Sequence, residues 1–462
     1  VSEEIAQLPV SPKRVSGSNQ TFFKIGGVSI LIFLLLIPLS MIGSVLTERL
    51  FRRDQTISEI TATWGKEQVL VGPVMNIPYR YPRKVWKEET INGKVEKKEV
   101  LEYVLGNAFF LPETLAVQAT MNPNKLHRGI YDAVVYSAHL TLSGQFARPD
   151  FESFRIPIQD VYWQDASITF AIPDLRGVRE VIQLSWGDTH SPFTPGTSLP
   201  DFSSGMQAKI SDMQPNNASW SFQVDLTVNG SNQIRFAPVG TKNMVKITSN
   251  WPDPSFKGAF LPMDRKVTPA GFEAVWQVSY YGRDYPQQWR DQDNPLRFNA
   301  PAVEASLFGV AFLAQVDSYR NVERSIKYGI LFIILIFAAF FLFEVLAPIR
   351  IHPFQYLLVG AGLCLFYLAL LSLSEFISFA RSYLIAASIC SGLISLYSLT
   401  MLRSGSRTLI IAGELASIYG FLYAILQMQD YSLLFGTIGL FIVLAMVMYF
   451  TRNIDWYARD SN

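Results

Sequence analysis

The chain has 462 residues, of which 49% are hydrophobic, 13% aromatic and 17% charged, with a formal net charge of +1. A balance this near zero excludes a global electrostatic field for nucleic acid or for acidic substrates. Its two cysteines, Cys364 and Cys390, both stand in apolar runs, which excludes a disulfide framework for the polar middle of the chain and points weakly to a bacterial envelope.

Residues 1–20 are polar and predict a flexible tail. Ile25–Leu46 meets the roughly 20 apolar residues that a spanning helix needs. It exceeds a signal-peptide core and lacks a clear cleavage site, so it predicts a retained anchor, with Pro38 as a candidate kink. Residues 47–66 continue as a helix whose Ile57, Ile60 and Trp64 share one face, placed to dock on the strand-rich region beyond it. After Gln68 the pattern turns to short apolar alternations bounded by Gly, Pro and Asn, the mark of strands. Trp220, Phe222, Val224, Leu226 and Val228 share one parity and predict a half-buried strand. Lys84–Lys98, with Asn92-Gly93 at its centre, predicts an exposed hairpin. Residues 139–146 followed by 166–177 faintly echo 224–230 followed by 245–258, which two similar β units would explain, as would chance. Residues 47–324 are thus expected to form a large all-β, sandwich-like domain.

Five more runs of spanning length occupy residues 325–450: Ser325–Leu346, Phe354–Leu373, Tyr383–Leu402, Thr408–Met428 and Ser432–Phe450. With Ile25–Leu46 they make six transmembrane helices, the last five a bundle, and residues 451–462 a short tail. Lys13, Arg14, Lys24, Arg350, Arg403, Arg407, Arg452 and Arg459 gather on one side of that arrangement, against Arg381 in the short loops of the other. The positive-inside rule then puts both termini in the cytoplasm and residues 47–324 in the periplasm. Arg49, Arg52 and Arg53 run against this, but they precede a long translocated domain, where the rule has little force.

No catalytic signature emerges: there is no G-x-S-x-G, H-E-x-x-H, C-x-x-C, Walker loop or dinucleotide glycine pattern. His139, Asp188 and His190 would make a metal set only if folding gathered them, so no metal and no cofactor is expected. Carboxylates in lipid are costly. Glu344, at the inner end of the second span, and Glu414, about two turns into the fifth, are expected at comparable depth near Arg403, Arg407 and His352. That cluster could bind a substrate, proton or lipid headgroup, or simply fix the bundle by salt bridges and snorkelling. Glu375 caps the outer end of the third span. Trp251, Pro252, Pro254 and Phe256 form a stiff aromatic motif that suits packing at a domain edge better than ligand contact.

Several runs carry a family resemblance: S-N-W-P-D-P-S-F-K-G-A-F-L-P (249–262), G-F-E-A-V-W (271–276), H-P-F-Q-Y-L-L-V-G (352–360), L-L-S-L-S-E (370–375) and T-R-N-I-D-W-Y (451–457), with L-V-G-P-V-M-N-I-P (70–78) nearer the N-terminus. Together they resemble the CreD family of bacterial inner-membrane proteins along nearly the whole chain from the first span onward. The resemblance implies a role in envelope integrity and tolerance of envelope-directed agents, and production under a paired sensor kinase and response regulator. It carries over no catalytic residue. The expected function is therefore a non-enzymatic inner-membrane protein whose periplasmic domain binds an envelope component or partner. The alternative is transport or lipid handling around Glu414, and a periplasmic hydrolase using His127, His139 and His190 stands behind both. The expected partners are the phospholipid membrane and an envelope protein or lipid, with no nucleic acid; the oligomeric state is left open.

Overall fold

Apolar runs too long for a soluble core become helices, and the alternating middle of the chain becomes sheet, in a computed structural model that describes residues 17–91, 94–211, 213, 217–293, 298–312, 318–346, 351–428 and 431–452. Residues 1–16 and 453–462 of the terminal tails, the Asn92-Gly93 turn and Arg350 lie outside the described residues, while residues 17–20 of the expected flexible tail are helical. The described residues divide into a helical unit, up to Arg53 and again from Ser318, and a β unit between them.

The helical unit starts with α1 (Gly17–Trp64), an unbroken helix that runs through Pro38 and crosses into the β unit after Arg53. A short helix, α2 (Ala300–Ser306), belongs to the β unit. Then come α3 (Ser318–Lys327), α4 (Gly329–Leu346), α5 (Pro353–Ser374), α6 (Phe379–Leu402), α7 (Gly405–Gln427) and α8 (Ser432–Thr451). Among the described residues, four helices are long and apolar enough to cross a membrane: α1 from Lys24, α5, α6 and α7. A fifth is supplied if α3 and α4, bent by 44° where they meet, act as one broken span. The expected span from Ser325 to Leu346 takes in the end of α3 and the whole of α4. Its first turn belongs to α3, whose Glu323, Arg324 and Lys327 make it amphipathic, and the apolar helix begins afresh at Gly329. The sixth expected span coincides with α8, several of whose side chains fall outside the described residues.

Close approach holds the helices together. Leu35, Leu39, Ile42 and Leu46 of α1 are buried against Phe337, Phe340, Phe366 and Tyr367 in one apolar cluster. A Cβ on Gly360 would stand 2.1 Å from Leu35 Cδ1 and 3.0 Å from Phe337, so any larger residue there would have to displace the buried Leu35 side chain where α1 and α5 meet. Cys364 and Cys390 are unbridged and buried in this unit.

The β unit holds two sheets among the described residues. The first runs in the order β13 (Pro254–Gly258), β17 (Phe308–Phe312), β11 (Gln233–Phe236), β1 (Gln68–Ile91), β5 (Ser167–Ala171), β9 (Gly205–Lys209) and β8 (Thr194–Pro195). The long β1 also pairs with β2 (Lys94–Phe110) in an extended hairpin, and β2 with β16 (Gln288–Arg290). The second runs β14 (Asp264–Thr268), β15 (Gly271–Ser279), β12 (Lys242–Ser249), β3 (Thr114–Arg128), β4 (Tyr131–Ala147), β10 (Ser219–Ser231), β6 (Gln183–Trp186) and β7 (Thr189–Pro192). Val74 and Met75 from the first sheet and Leu140 and Leu142 from the second join one hydrophobic core, and β10 buries alternate residues as its parity demands.

The internal echo does not mark two units. Residues 139–146 and 224–230 lie on β4 and β10, antiparallel neighbours in one sheet, whereas β5 and β12 go to different sheets. Shared in-out alternation accounts for the likeness. The end of α1 packs on this unit as its apolar face requires. Ile60 is buried with Ala133 and Val135, Ile57 and Trp64 flank it, and the Trp64 indole N–H donates to the Tyr136 carbonyl at 3.1 Å.

Candidate functional site

The polar side chains of the helical unit gather in two layers. At one, Lys24 Nζ of α1 meets Glu344 Oε1 of α4 at 2.5 Å, and the Glu344 side chain is only 8% exposed. The same carboxylate accepts from the Ile351 amide at 3.2 Å and from the Tyr356 hydroxyl at 3.5 Å. His352 caps α5: its Nδ1 accepts from the Phe354 amide, while Gln355 Oε1 accepts from the His352 amide. At the other layer, Glu375 at the end of α5 is equally enclosed. It faces Arg49 Nε of α1 at 3.5 Å and accepts from the Tyr319 hydroxyl at 3.2 Å. Arg53 lies over the Tyr319 ring, and Arg324 donates to the Ile425 and Leu426 carbonyls at the negative end of α7. Lys24 and Arg49 are 25 positions apart on one helix (49 − 24), or roughly 38 Å at 1.5 Å per residue, against a hydrocarbon core of about 30 Å. The two ion pairs thus bracket an apolar body of bilayer thickness. Arg49 and Arg53, which run against the charge rule, have partners here.

The expected cluster is only partly assembled. Glu344 and His352 are brought together, one accepting from Ile351 and the other capping the next helix. Arg403 is exposed at the end of α6, in the left-handed region at φ 45°, and Arg407 is half-buried in the first turn of α7. Among the described residues no hydrogen bond or ion pair joins either arginine, or Glu414, to Glu344. Glu344 stands two positions before the end of α4, whereas Glu414 stands nine positions after Gly405 and thirteen before Gln427, near the middle of α7. The expected span begins at Thr408, nearly a turn later than the helix does. Glu414 is half-buried and has no hydrogen-bond partner among the described residues.

In the β unit, Trp251 is buried, edge-on to Phe312 and beneath Lys125, with its indole N–H unpartnered among the described residues. Pro252 is exposed, Pro254 opens the edge strand β13, and Phe256 sets its ring against Phe272 and Trp276. The motif therefore closes an edge of the core. The histidines stay apart in local pairs: His127 with Asp132, His139 with Thr227, and His190 with Ser185. No group of three His, Cys, Asp or Glu side chains that could hold a metal occurs among the described residues.

Comparison with known proteins decides the family. The family model described as inner membrane protein CreD matches residues 20–457. The inner membrane protein CreD of Escherichia coli (strain K12) is 32% identical over 437 residues, covering 95% of this chain and 94% of that protein. The chain belongs to the CreD family. Among solved structures, a two-domain M1 zinc metallopeptidase bound to L-tryptophan matches with a TM-score of 0.20 and 7% identity, over 47% of this chain and 54% of that one; so slight a likeness carries no argument. The CreD name and the apolar helices together support an inner-membrane location.

One feature of this CreD-family chain is absent from the expectations its residues raise. Phe366 sits among the rings of Tyr367, Tyr383 and Tyr419, with centroids at 5.0, 5.4 and 4.5 Å, and the Tyr383 hydroxyl donates to the Tyr419 carbonyl at 2.7 Å. Tyr367 and Tyr419, which lie within apolar runs rather than at their ends where interfacial anchoring suffices, are the signal that could have found it.

Proposed function

We propose that this chain is a non-enzymatic multi-pass inner-membrane protein that supports envelope integrity and stress tolerance, with its β unit engaging an envelope component. In this reading six helices span the bilayer, both termini are cytoplasmic and residues 47–324 are periplasmic. The observation that carries it is a large β unit, with no metal cluster among its described residues, joined through one unbroken helix to an apolar body bracketed by ion pairs. Removing residues 70–320 while keeping the helices is expected to abolish protection against envelope-directed agents. Full protection by the helices alone would reject the reading.

Glu414 favours a second reading, transport or lipid handling through the bundle, because a carboxylate near mid-helix without a hydrogen-bond partner among the described residues is costly in lipid unless it is used. Glu414→Gln is then expected to impair protection at unchanged protein level. An unchanged phenotype would remove this reading's support.

A further inference from the structure

The solvent side of the eight-stranded sheet carries a trough of about 800 Å³, remote in sequence from the ion pairs and from Glu414. The register builds it in rows. Ser279, Lys242, Thr114, Gln145 and Ser221 lie side by side across five strands, and a second row runs parallel from Gln277 on β15 to Ser185 on β6. Six strands at about 4.8 Å spacing give the trough a length of roughly 24 Å. Its floor is made of short side chains, Thr114, Ala116, Ser143 and Ser221, with glutamines and the exposed thioether of Met244 rising beside them.

Charge sets it apart from an ordinary solvated face. Among the described residues Lys242 is the one charged side chain lining it, whereas the next rows on the same face carry Lys246 paired with Glu273, and Asp225 held by Thr141. Hydroxyls and amides both donate and accept, and they give up water at far lower cost than charges do. Such a lining matches a chain of neutral hydroxyl and amide groups. A second observation lies next in the chain to the lining residue Ser279. Tyr280 and Tyr281 come directly after Ser279, their ring centroids are 4.3 Å apart, and Tyr281 is 84% exposed. An aromatic face left in water beside a polar trough offers a platform for the C–H face of a sugar ring.

We propose that this trough binds an extended glycan, with its hydroxyl and N-acetyl groups met by Gln145, Gln277 and the serine floor, one ring stacked on Tyr281, and Lys242 facing an acidic substituent. The proposal rests on the reading that the β unit engages an envelope component, and it names the class of that component. The test titrates the full-length chain in nanodiscs with soluble glycan strands of alternating N-acetylglucosamine and N-acetylmuramic acid, read by calorimetry. Saturable binding is expected. Tyr281→Ala and Gln145→Ala are each expected to weaken it about tenfold, the loss of one contact of about 1.4 kcal/mol, while Ser143→Trp blocks the floor. Maltoheptaose, which lacks N-acetyl and carboxylate groups, is expected to bind more weakly than the strands. If Ser143→Trp fails to fold, Tyr281→Ala keeps the test open, because its ring is already in solvent. Absence of saturable binding overturns the proposal, as do affinities unmoved by all the variants, or an unstructured peptide competing as well as the glycan. In those cases the reading of the β unit still stands if loss of residues 70–320 abolishes protection, and falls if it does not.

Discussion

Asp174 ties the start of β1 to the body of the β unit, and its replacement tests how that unit is held. Its side chain is 5% exposed and accepts from the amides of Lys66 and Arg176, each at 3.1 Å, and from the Arg176 guanidinium at 2.8 and 3.0 Å. Gln68 donates to the Asp174 carbonyl and to that of Asn229, extending the network. The Arg176 side chain first, and then the Lys66 and Arg176 amides, hold the Asp174 carboxyl below the usual carboxylate range. Charge-assisted hydrogen bonds are worth about 1.5–3 kcal/mol each, but Arg176 is largely exposed, which reduces its share to under about 1 kcal/mol. Asp174→Ala should therefore cost about 2–3 kcal/mol. For a unit of this size that lowers the melting temperature by about 4–6 °C. Tryptophan fluorescence is a selective assay, because eight of the nine tryptophans lie between Trp64 and Trp289. Because the folded carboxyl titrates below its unfolded value, its contribution is present above the ordinary carboxylate range and is lost as pH falls through the folded value. Asp174→Asn should thus match the native chain most closely in acid and fall furthest below it at neutral pH. A difference that is constant from neutral pH to strong acid, or no difference at all, would refute the reasoning.

Gly360→Leu should reduce the yield and thermal stability of the detergent-solubilised protein, because the Cβ alone meets Leu35 at 2.1 Å; Leu35→Ala should restore part of the loss. Lys24→Glu or Glu344→Lys alone leaves two like charges facing each other at the same layer and should lower abundance. The double exchange should recover it if the 2.5 Å pair is what matters, and immunoblotting of membranes checks this. Two further outcomes, loss of protection on deleting residues 70–320 and impairment by Glu414→Gln at constant protein level, separate the two readings of function.

Period and length are legible in the residues, while partnership is not. A 22-residue apolar run can hardly be anything but helix, and one-parity burial from Trp220 to Val228 is what β10 displays. The break between α3 and α4 is hidden because hydropathy averages over it, whereas packing at Gly329, where a Cβ would stand 2.9 Å from Leu39, comes from a distant helix. Glu344 is visible as costly, yet its partner lies 320 positions away, beyond any local pattern. The aromatic motif at Trp251 can be read as packing because proline and ring size constrain it locally. The trough cannot be read at all. It exists only through a register that sets β3 and β12 in parallel, side by side, from segments more than a hundred residues apart.

Burial of both native thiols within the helices has a practical corollary. A single cysteine introduced at Lys84 on β1 or at Tyr281 in the turn after β15, both exposed, would be the one readily reactive thiol on the molecule. A maleimide that cannot cross lipid would then report the compartment of that strand in intact cells, with no need to strip the native residues first. At Tyr281, two residues after the lining residue Ser279, the same handle would let a spectroscopic probe watch the trough while candidate sugars are added.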